Sequence, residues 1–341
     1  MRSYDIAVIP GDGVGKEVAS EAVEILNVLS SKYGFQIRTE RFDWGCDYWL
    51  KTGSMMPENM LNILKDFNAL FLGCIGDARK VPDYISLGLL LEVRKGFDQY
   101  VNLRPIKLYP NVKTPVKTAT PETVDMVVVR ENTEGEYSGV GGVFKAGQPE
   151  AIATQVSVFT QKGCERIIRY AFELARKRRK WSGQNPEGKV TNCTKSNALN
   201  YSMVFWDSVY NNLAKNYPEI GTDVALVDAL TMWLVKKPDY FDVIVASNLF
   251  GDIITDLGAV LQGGMGFAAS ANINPQRRYP SMFEPIHGSA PKYEGKGIVN
   301  PIAAIESIRL MMEHLGETEA AGDIENSITA VLSQGKVKTR D

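Results

Sequence analysis

Hydrophobic positions along the chain switch repeatedly between two periods. Ile6–Ile9 is a short apolar run bounded by polar and glycine residues, the pattern of a buried strand. Gly11-Asp-Gly-Val-Gly15 then turns the chain. From Glu17 to about Lys32 apolar residues return every third or fourth position, which predicts an amphipathic helix. Phe35–Arg41 alternates as a half-buried strand does. Ala69–Gly73, Val124–Val129, Val190–Cys193, Val224–Val227 and Val243–Ala246 are apolar or β-branched runs of strand length. Helical spacing recurs over Lys162–Arg179, Leu199–Asn212, Leu249–Leu261, Ile302–His314 and Glu319–Leu332. This alternation predicts an α/β protein with a largely parallel sheet. Gly135–Pro149 is glycine-rich and reads as a loop or as an arm leaving the domain. There is no internal repeat and no low-complexity segment.

Length and charge narrow the class. A chain of 341 residues can bury a large core, with two domains as the natural expectation. A net charge of −2 offers no basic field for nucleic acid or anionic lipid. The run Arg176-Lys-Arg-Arg-Lys180 reads as a solvated face complementing the helix dipole. The four cysteines, Cys46, Cys74, Cys164 and Cys193, show neither zinc spacing nor a disulfide framework, so a reduced, cytoplasmic setting is expected. The apolar run near Met1 is too short for a signal peptide, and no stretch of about 18 apolar residues predicts a membrane span. His287 and His314 are the only histidines, so acid–base chemistry falls mostly to Lys, Tyr, Asp or Glu.

The helix predicted over Leu249–Leu261 carries the most pointed chemistry. Asp252 and Asp256 stand four residues apart, on one helix face, where like charges repel. They border an apolar stripe of Phe250, Ile253, Ile254, Leu257 and Leu261. A half-buried pair of this kind is costly unless a cation shares it, and Mg2+ or Mn2+ suits oxygen donors. The other reading is a solvated pair on a helix edge. Arg94, Arg104 and Arg130 could clamp a dicarboxylate through planar guanidinium forks. Arg130 ends an apolar strand, where open α/β sheets hold ligands. Tyr137 and Lys195 follow predicted strands and are candidate proton donors or acceptors.

Two glycine-containing loops bear on nucleotide binding. Gly11-x-Gly-x-Gly15 fails as a dinucleotide fingerprint, because the third glycine would have to stand where Lys16 does. Phe283 to Pro301 is a long turn-rich loop before a helix, rich in backbone N–H groups that suit phosphate oxygens. Lys292 and Tyr293 add a cation and a hydroxyl there; a purely structural loop is the alternative.

Taken together, PGDGVGKEV, FDQYVNLRP, VVRENTEGEYSG, TKSNAL, VDALTMWLV, NLFGDIITDLG and FEPIHGSAP resemble the β-decarboxylating dehydrogenases that act on 2-hydroxy acids, the isocitrate/isopropylmalate dehydrogenase family. The resemblance runs from the first strand to about residue 316 and is nearest to the tartrate/D-malate branch. It implies two α/β domains with a cleft between them, not a standard Rossmann fold. Residues 1–104 with 258–341 would form the nucleotide-binding domain, and residues 105–257 the substrate, metal and dimerisation domain. It implies a homodimer with shared active sites. Arg94, Arg104 and Arg130 would bind the carboxylates of a small dicarboxylate. Asp252 and Asp256 would ligate Mg2+ or Mn2+ together with Asp228 of the partner subunit, and Lys195 of the partner subunit would help take the hydroxyl proton. Tyr137 would protonate carbon after decarboxylation. His287, Gly288, Ser289, Ala290, Lys292, Tyr293 and Asn300 would contact NAD or NADP.

Substrate and cofactor preference rest on fewer positions. Isocitrate members carry Ser and Asn where this chain has Gly88 and Leu90, so isocitrate's extra carboxylate lacks a polar partner. Leu87 stands where isopropylmalate members have a glutamate; apolar Leu87, Leu90 and Leu91 keep 3-isopropylmalate as the runner-up to D-malate and tartrate. The ISLGLLLEVRK segment is one residue shorter than usual in that branch. Members using NAD usually have Asp-Ile at Lys292-Tyr293, so the branch argues for NAD and the local residues for NADP. Relatives usually continue past Asp341 into another helix. A non-catalytic nucleotide-binding subunit of the same fold is the competing class, but such subunits lose acid–base or metal residues that are present here.

Overall fold

Along the first strand, β1 (Ser3–Gly11), alternate side chains enter two different cores. Ile6 and Val8 join one apolar cluster, and Ala7 and Ile9 join another on the opposite face. The same division recurs in β3 (Ala69–Cys74), where Phe71 faces the first cluster and Leu70 and Leu72 the second. A strand covered on both faces cannot show polar alternation, which is why these segments are continuously apolar. The structure is a computed structural model that describes residues 2–179, 188–336 and 339. Lys180, the end of the basic run, lies outside the described residues.

The elements in chain order are β1, α1 (Gly15–Tyr33), β2 (Gln36–Arg41), α2 (Cys46–Thr52), α3 (Met60–Leu64), β3, α4 (Asp83–Gly96), β4 (Val101–Lys107), β5 (Asp125–Glu131) and β6 (Gly135–Phe144). There follow β7 (Ile152–Val158), α5 (Gln161–Arg178), β8 (Lys189–Thr194), α6 (Ser202–Ala214), β9 (Gly221–Leu226), α7 (Val227–Lys236), β10 (Val243–Ala246), α8 (Asn248–Leu261), β11 (Ala269–Ile273), β12 (Ser281–Pro285), α9 (Ile302–Leu315) and α10 (Thr318–Gln334). Local caps follow the residue types: Gly34 ends α1 in the left-handed region, and Thr160 Oγ accepts from Gly163 N at 2.9 Å to start α5.

Ten strands form one sheet in the order β2-β1-β3-β12-β11-β4-β5-β10-β8-β9. The expected parallel character holds toward both ends. At the centre, β12–β11, β11–β4 and β4–β5 are antiparallel. β4, β11 and β12 are not among the strands expected from the sequence; they lie beside turn-rich loops and carry buried polar residues such as Asn102, Asn272 and Glu284. Val227, expected to end a strand, instead opens α7, and α6 begins three residues after the expected Leu199. The boundaries expected at 104/105 and 257/258 fall within β4 and α8, elements that continue across them.

Gly135–Pro149 is mostly strand and turn. β6 and β7 pair antiparallel into a separate two-stranded arm. Its side chains Val140, Val143, Phe144, Ile152 and Val156 are exposed. The basic end of α5 is not simply solvated: Arg178 bonds Asp242 and Asp125, and Arg176 bonds Glu219. The four cysteines are free and buried. Among the described residues no helix is long and apolar enough to cross a membrane.

Candidate active site

Three elements bring charged groups to one side of the central strands. Arg104 on β4 and Arg130 on β5 stand on neighbouring antiparallel strands, where Asn102 is directly opposite Arg130. Arg104 donates through Nε to Asn102 Oδ1 at 2.7 Å. Asn102 in turn donates to Ser270 Oγ and Asn272 Oδ1 on β11. Arg130 donates through Nε and Nη2 to Asn248 Oδ1, at 3.0 and 2.7 Å, at the start of α8. Neither Asn102 nor Asn248 was singled out from sequence, although both sit inside the motifs that were; without the register, nothing marks them as the groups that aim the arginines.

α8 supplies the carboxylates. Asp252 Oδ1 accepts from Arg130 Nη1 at 2.5 Å and from Arg104 Nη1 at 3.1 Å, and Oδ2 accepts from the Tyr137 hydroxyl at 3.1 Å. Burial raises the Asp252 carboxyl, but Arg130 and Arg104 outweigh it and hold it below the usual carboxylate range. Asp256, one turn on, accepts no hydrogen bond among the described residues. It is exposed within one chain, yet partial desolvation and the charge of Asp252 push its carboxyl up. Of the apolar stripe, Phe250, Ile254 and Leu261 are buried as expected, but Ile253 is 53% exposed.

The arginines are crowded. Burial, then the neighbouring Arg104, draws Arg130 down to about 9, and burial also lowers Arg104. Two buried guanidinium groups side by side are stabilised by any anion that settles between them. Arg94, from the last turn of α4, joins them at the same cavity; its Nη2 donates to Glu284 Oε1 at 2.8 Å and its buried Nε has no partner among the described residues.

Tyr137 sits where the pairing of β6 with β7 shifts register, between Gly135 and Val140. Its ring lies 5.6 Å from the Arg130 guanidinium. Burial, then the Asp252 carboxylate, raises its hydroxyl above the usual phenol range, so it stays protonated and able to donate at neutral pH. These groups border a cavity of about 480 Å³. Leu87, Leu90 and Leu91 of α4 line it, as do Gln155 of β7 and His287 with Gly288.

Lys195 and Asp228 are not part of this cluster within one chain. Lys195 Nζ donates to Asp228 Oδ1 at 2.8 Å, near the ends of the neighbouring strands β8 and β9. Among the described residues no three His, Cys, Asp or Glu side chains of one chain assemble as a metal cage.

A second cavity, of about 540 Å³, shares His287 and Gly288 with the first. Val14, Met265, Ile298 and Val299 give it apolar walls, and Ala290, Tyr293 and Asn300 also line it. Asn300 Oδ1 accepts from Ile302 N at 3.0 Å, while its buried Nδ2 has no partner among the described residues. Ser289 is turned inward: its hydroxyl donates to the Gly76 carbonyl and its own carbonyl accepts from Val14 N. Gly13 lies against that carbonyl at a φ of 53°, so a Cβ there would come within 2.1 Å of Ser289 O. The glycine turn that fails as a phosphate loop thus packs the loop that borders this cavity. Lys292 and Lys296 lie outside the lining, with ammonium groups 4.8 and 5.7 Å from the Tyr293 ring centre.

Gly251 is the position that lets α8 approach β5. A Cβ there would fall 2.5 Å from Arg130 Cγ and 2.6 Å from Arg130 Cβ. Alanine is worth about 1 kcal/mol more than glycine in a helix, yet overpacking costs about 1–3 kcal/mol. Gly251→Ala is therefore expected to lower the melting temperature and to raise KM for the acid more than it lowers kcat. Thermal unfolding and steady-state kinetics check this; a stabilised variant with unchanged KM would count against the close packing.

The family model for isocitrate/isopropylmalate dehydrogenase matches residues 5–341. A probable tartrate dehydrogenase/decarboxylase from Agrobacterium vitis is 48% identical over 98% of this chain and 92% of its own length. The D-malate dehydrogenase [decarboxylating] of Escherichia coli is 46% identical over 98% of this chain and 91% of its own. The crystal structure of isocitrate dehydrogenase from Methylococcus capsulatus superposes with a TM-score of 0.87 at 35% identity, covering 98% of this chain and 93% of that one.

Proposed function

The chain belongs to the isocitrate/isopropylmalate dehydrogenase family, and from that membership we propose that it oxidatively decarboxylates a small D-2-hydroxy dicarboxylic acid, D-malate or tartrate. NAD or NADP is the hydride acceptor in this reading, and Mg2+ or Mn2+ the metal. The observation that carries it is the buried pair Arg104 and Arg130, short of anions and set beside Asp252 and the protonated Tyr137. The names and 46–48% identity of the tartrate and D-malate relatives support the choice of acid.

The residues fit both cofactors. Asp256, raised by desolvation and by its neighbour Asp252 and accepting no hydrogen bond among the described residues, is the kind of carboxylate that a cation relieves, and oxygen donors suit Mg2+ or Mn2+. Asp228 of the partner subunit would complete the set. When bound, such a metal lowers the pKa of the 2-hydroxyl and offsets the charge left on the substrate when CO2 departs. Asn300, whose Nδ2 has no partner among the described residues, would hold the nucleotide together with His287, Gly288, Ala290 and Tyr293, and Ser289 would shape the loop around it. The cavity junction at His287 and Gly288 would set the hydride acceptor next to the acid.

The chain's own side chains divide the work. Arg94, Arg104 and Arg130 bind and orient the carboxylates. Lys195 of the partner subunit, near the 2-hydroxyl, holds the proton that leaves it. Tyr137 delivers a proton to the carbon that has lost CO2. Leu87 and Leu90 exclude water from the apolar wall. The cleft then lies between residues 1–104 with 258–341 and residues 105–257, joined through β4 and α8. The homodimer that this requires is supported by apolar side chains exposed on the arm and, with Met232, Trp233 and Ile253, on α7 and α8. Free buried cysteines support a cytoplasmic setting.

The test is NAD(P)H formation with D-malate, tartrate, 3-isopropylmalate and isocitrate, with Mn2+ and with chelator. D-malate or tartrate should be fastest, and chelator should abolish turnover. Absence of reduction with every acid and either nucleotide would overturn the reading. Fastest turnover of 3-isopropylmalate, the alternative that apolar Leu87, Leu90 and Leu91 leave open, would correct the substrate. For the nucleotide, Lys292 and Lys296 beside Tyr293 support tolerance of a 2′-phosphate. Lys292→Asp is expected to shift the NADP/NAD ratio of kcat/KM toward NAD by about tenfold. An unmoved ratio would remove Lys292 from this role.

A further inference from the structure

We propose that Gln155 reads the substituent on C3 of the acid, accepting a hydrogen bond from the C3 hydroxyl that tartrate carries and D-malate lacks. The inference rests on the reading of the 480 Å³ cavity as the acid site. Gln155 lies on β7 of the arm, opposite Gly141, and its side chain reaches the cavity that Leu87, Leu90 and Leu91 line from α4. Its Nε2 donates to the Glu136 carbonyl at 3.1 Å, and Glu136 directly precedes Tyr137. The carbon that Tyr137 must reach is the one that loses CO2, which is C3. A carboxamide anchored to the residue before Tyr137 therefore stands near that carbon's remaining substituent.

The other groups at the cavity suit a hydroxyl less well. Leu87, Leu90 and Leu91 of α4 cannot hydrogen-bond, and Arg94, the other α4 side chain at the cavity, carries only donors. Arg104, Arg130 and Asp252 bind one another, and Arg94 binds Glu284 through Nη2 while its Nε, without a partner among the described residues, is a donor that cannot accept from a hydroxyl. Among the described residues Gln155 is the only carboxamide side chain lining the cavity. Its Oε1 accepts nothing among the described residues, so it is available as an acceptor. Gly139, beside it on the arm, adds no side chain to compete.

The experiment compares kcat/KM for tartrate and D-malate in the full-length dimeric enzyme, wild type against Gln155→Leu, which keeps bulk and removes the amide. The expected result is a tartrate/D-malate ratio lowered about tenfold, the worth of one satisfied hydrogen bond to a hydroxyl. Gln155→Asn, which keeps the amide but withdraws it by one methylene, should lower the ratio in the same direction and guards against misfolding of the leucine variant. Equal losses with both acids would overturn the inference and make Gln155 a positioning residue for Tyr137. An unmoved ratio, or a wild type without tartrate activity, would also overturn it while leaving D-malate oxidation intact. A wild type inactive on both acids would overturn the reading of the site itself.

Discussion

Asp252→Asn is expected to lower metal-dependent NAD(P)H formation on the order of a thousandfold, the loss typical when one preorganised charge is removed from a reacting centre. Three contacts meet at this carboxylate: Arg130, Arg104 and Tyr137. Truncating one partner of a fully buried ion pair costs about 3–5 kcal/mol. Asp252 is 37% exposed, and Arg130 and Arg104 keep Asn248, Asn102 and Thr255 as acceptors, so the stability loss should be nearer about 1–2 kcal/mol. The fold should survive and the chemistry should not. Mn2+ titration, steady-state rates and thermal unfolding check the three parts. Asp256→Asn sharpens the test, because that carboxylate loses no hydrogen bond and stops repelling Asp252. It should weaken Mn2+ binding without lowering the melting temperature. Wild-type turnover of Asp252→Asn with Mn2+ would end the assignment of this pair to the metal.

Tyr137→Phe is expected to lower kcat by about 10²–10⁴-fold, the usual range for a positioned general acid, with a much smaller change in KM. The phenylalanine ring keeps its place beside the Arg130 guanidinium, so acid binding is largely retained. Only the hydroxyl is lost, and with it a donor to Asp252 at 3.1 Å. The wild-type hydroxyl is raised by burial and by Asp252, so its ionisation lies above the range in which neutral-pH assays run. Loss of activity on the alkaline side should therefore begin at higher pH than for an ordinary phenol. A kcat within a factor of a few of wild type, or a rise in KM with kcat unchanged, would exclude Tyr137 as the proton donor.

Much of the site could be read in the order of the residues. Asp252 and Asp256 share a face because four residues nearly complete a helical turn, and α8 forms where its spacing predicts. Arg130 ends an apolar strand as expected, and the arm foreseen as one reading of Gly135–Pro149 is present. Other features had no local mark. β4, β11 and β12 carry buried Asn and Glu side chains, which mimic loop composition until their partners are known. Gln155 looks like any polar residue on an exposed strand. Ile253 fits the apolar stripe by spacing, yet one chain leaves it exposed.

By itself the sequence determined the alternation of strands and helices, the carboxylate pair and the family to which the motifs belong. Each of these depends on neighbours within one helical turn, one strand or one motif, where periodicity and residue chemistry are sufficient. The tertiary structure alone decided that Arg104 and Arg130 stand side by side, that Asn102 and Asn248 aim them, and that Gly251 must lack a side chain. It also paired Lys195 with Asp228 near the ends of β8 and β9, a contact that spacing along the chain does not show. These outcomes depend on antiparallel register at the centre of the sheet and on contacts between residues more than a hundred positions apart, such as Arg130 with Asp252. Spacing along a chain carries no information about such contacts until the strands have paired.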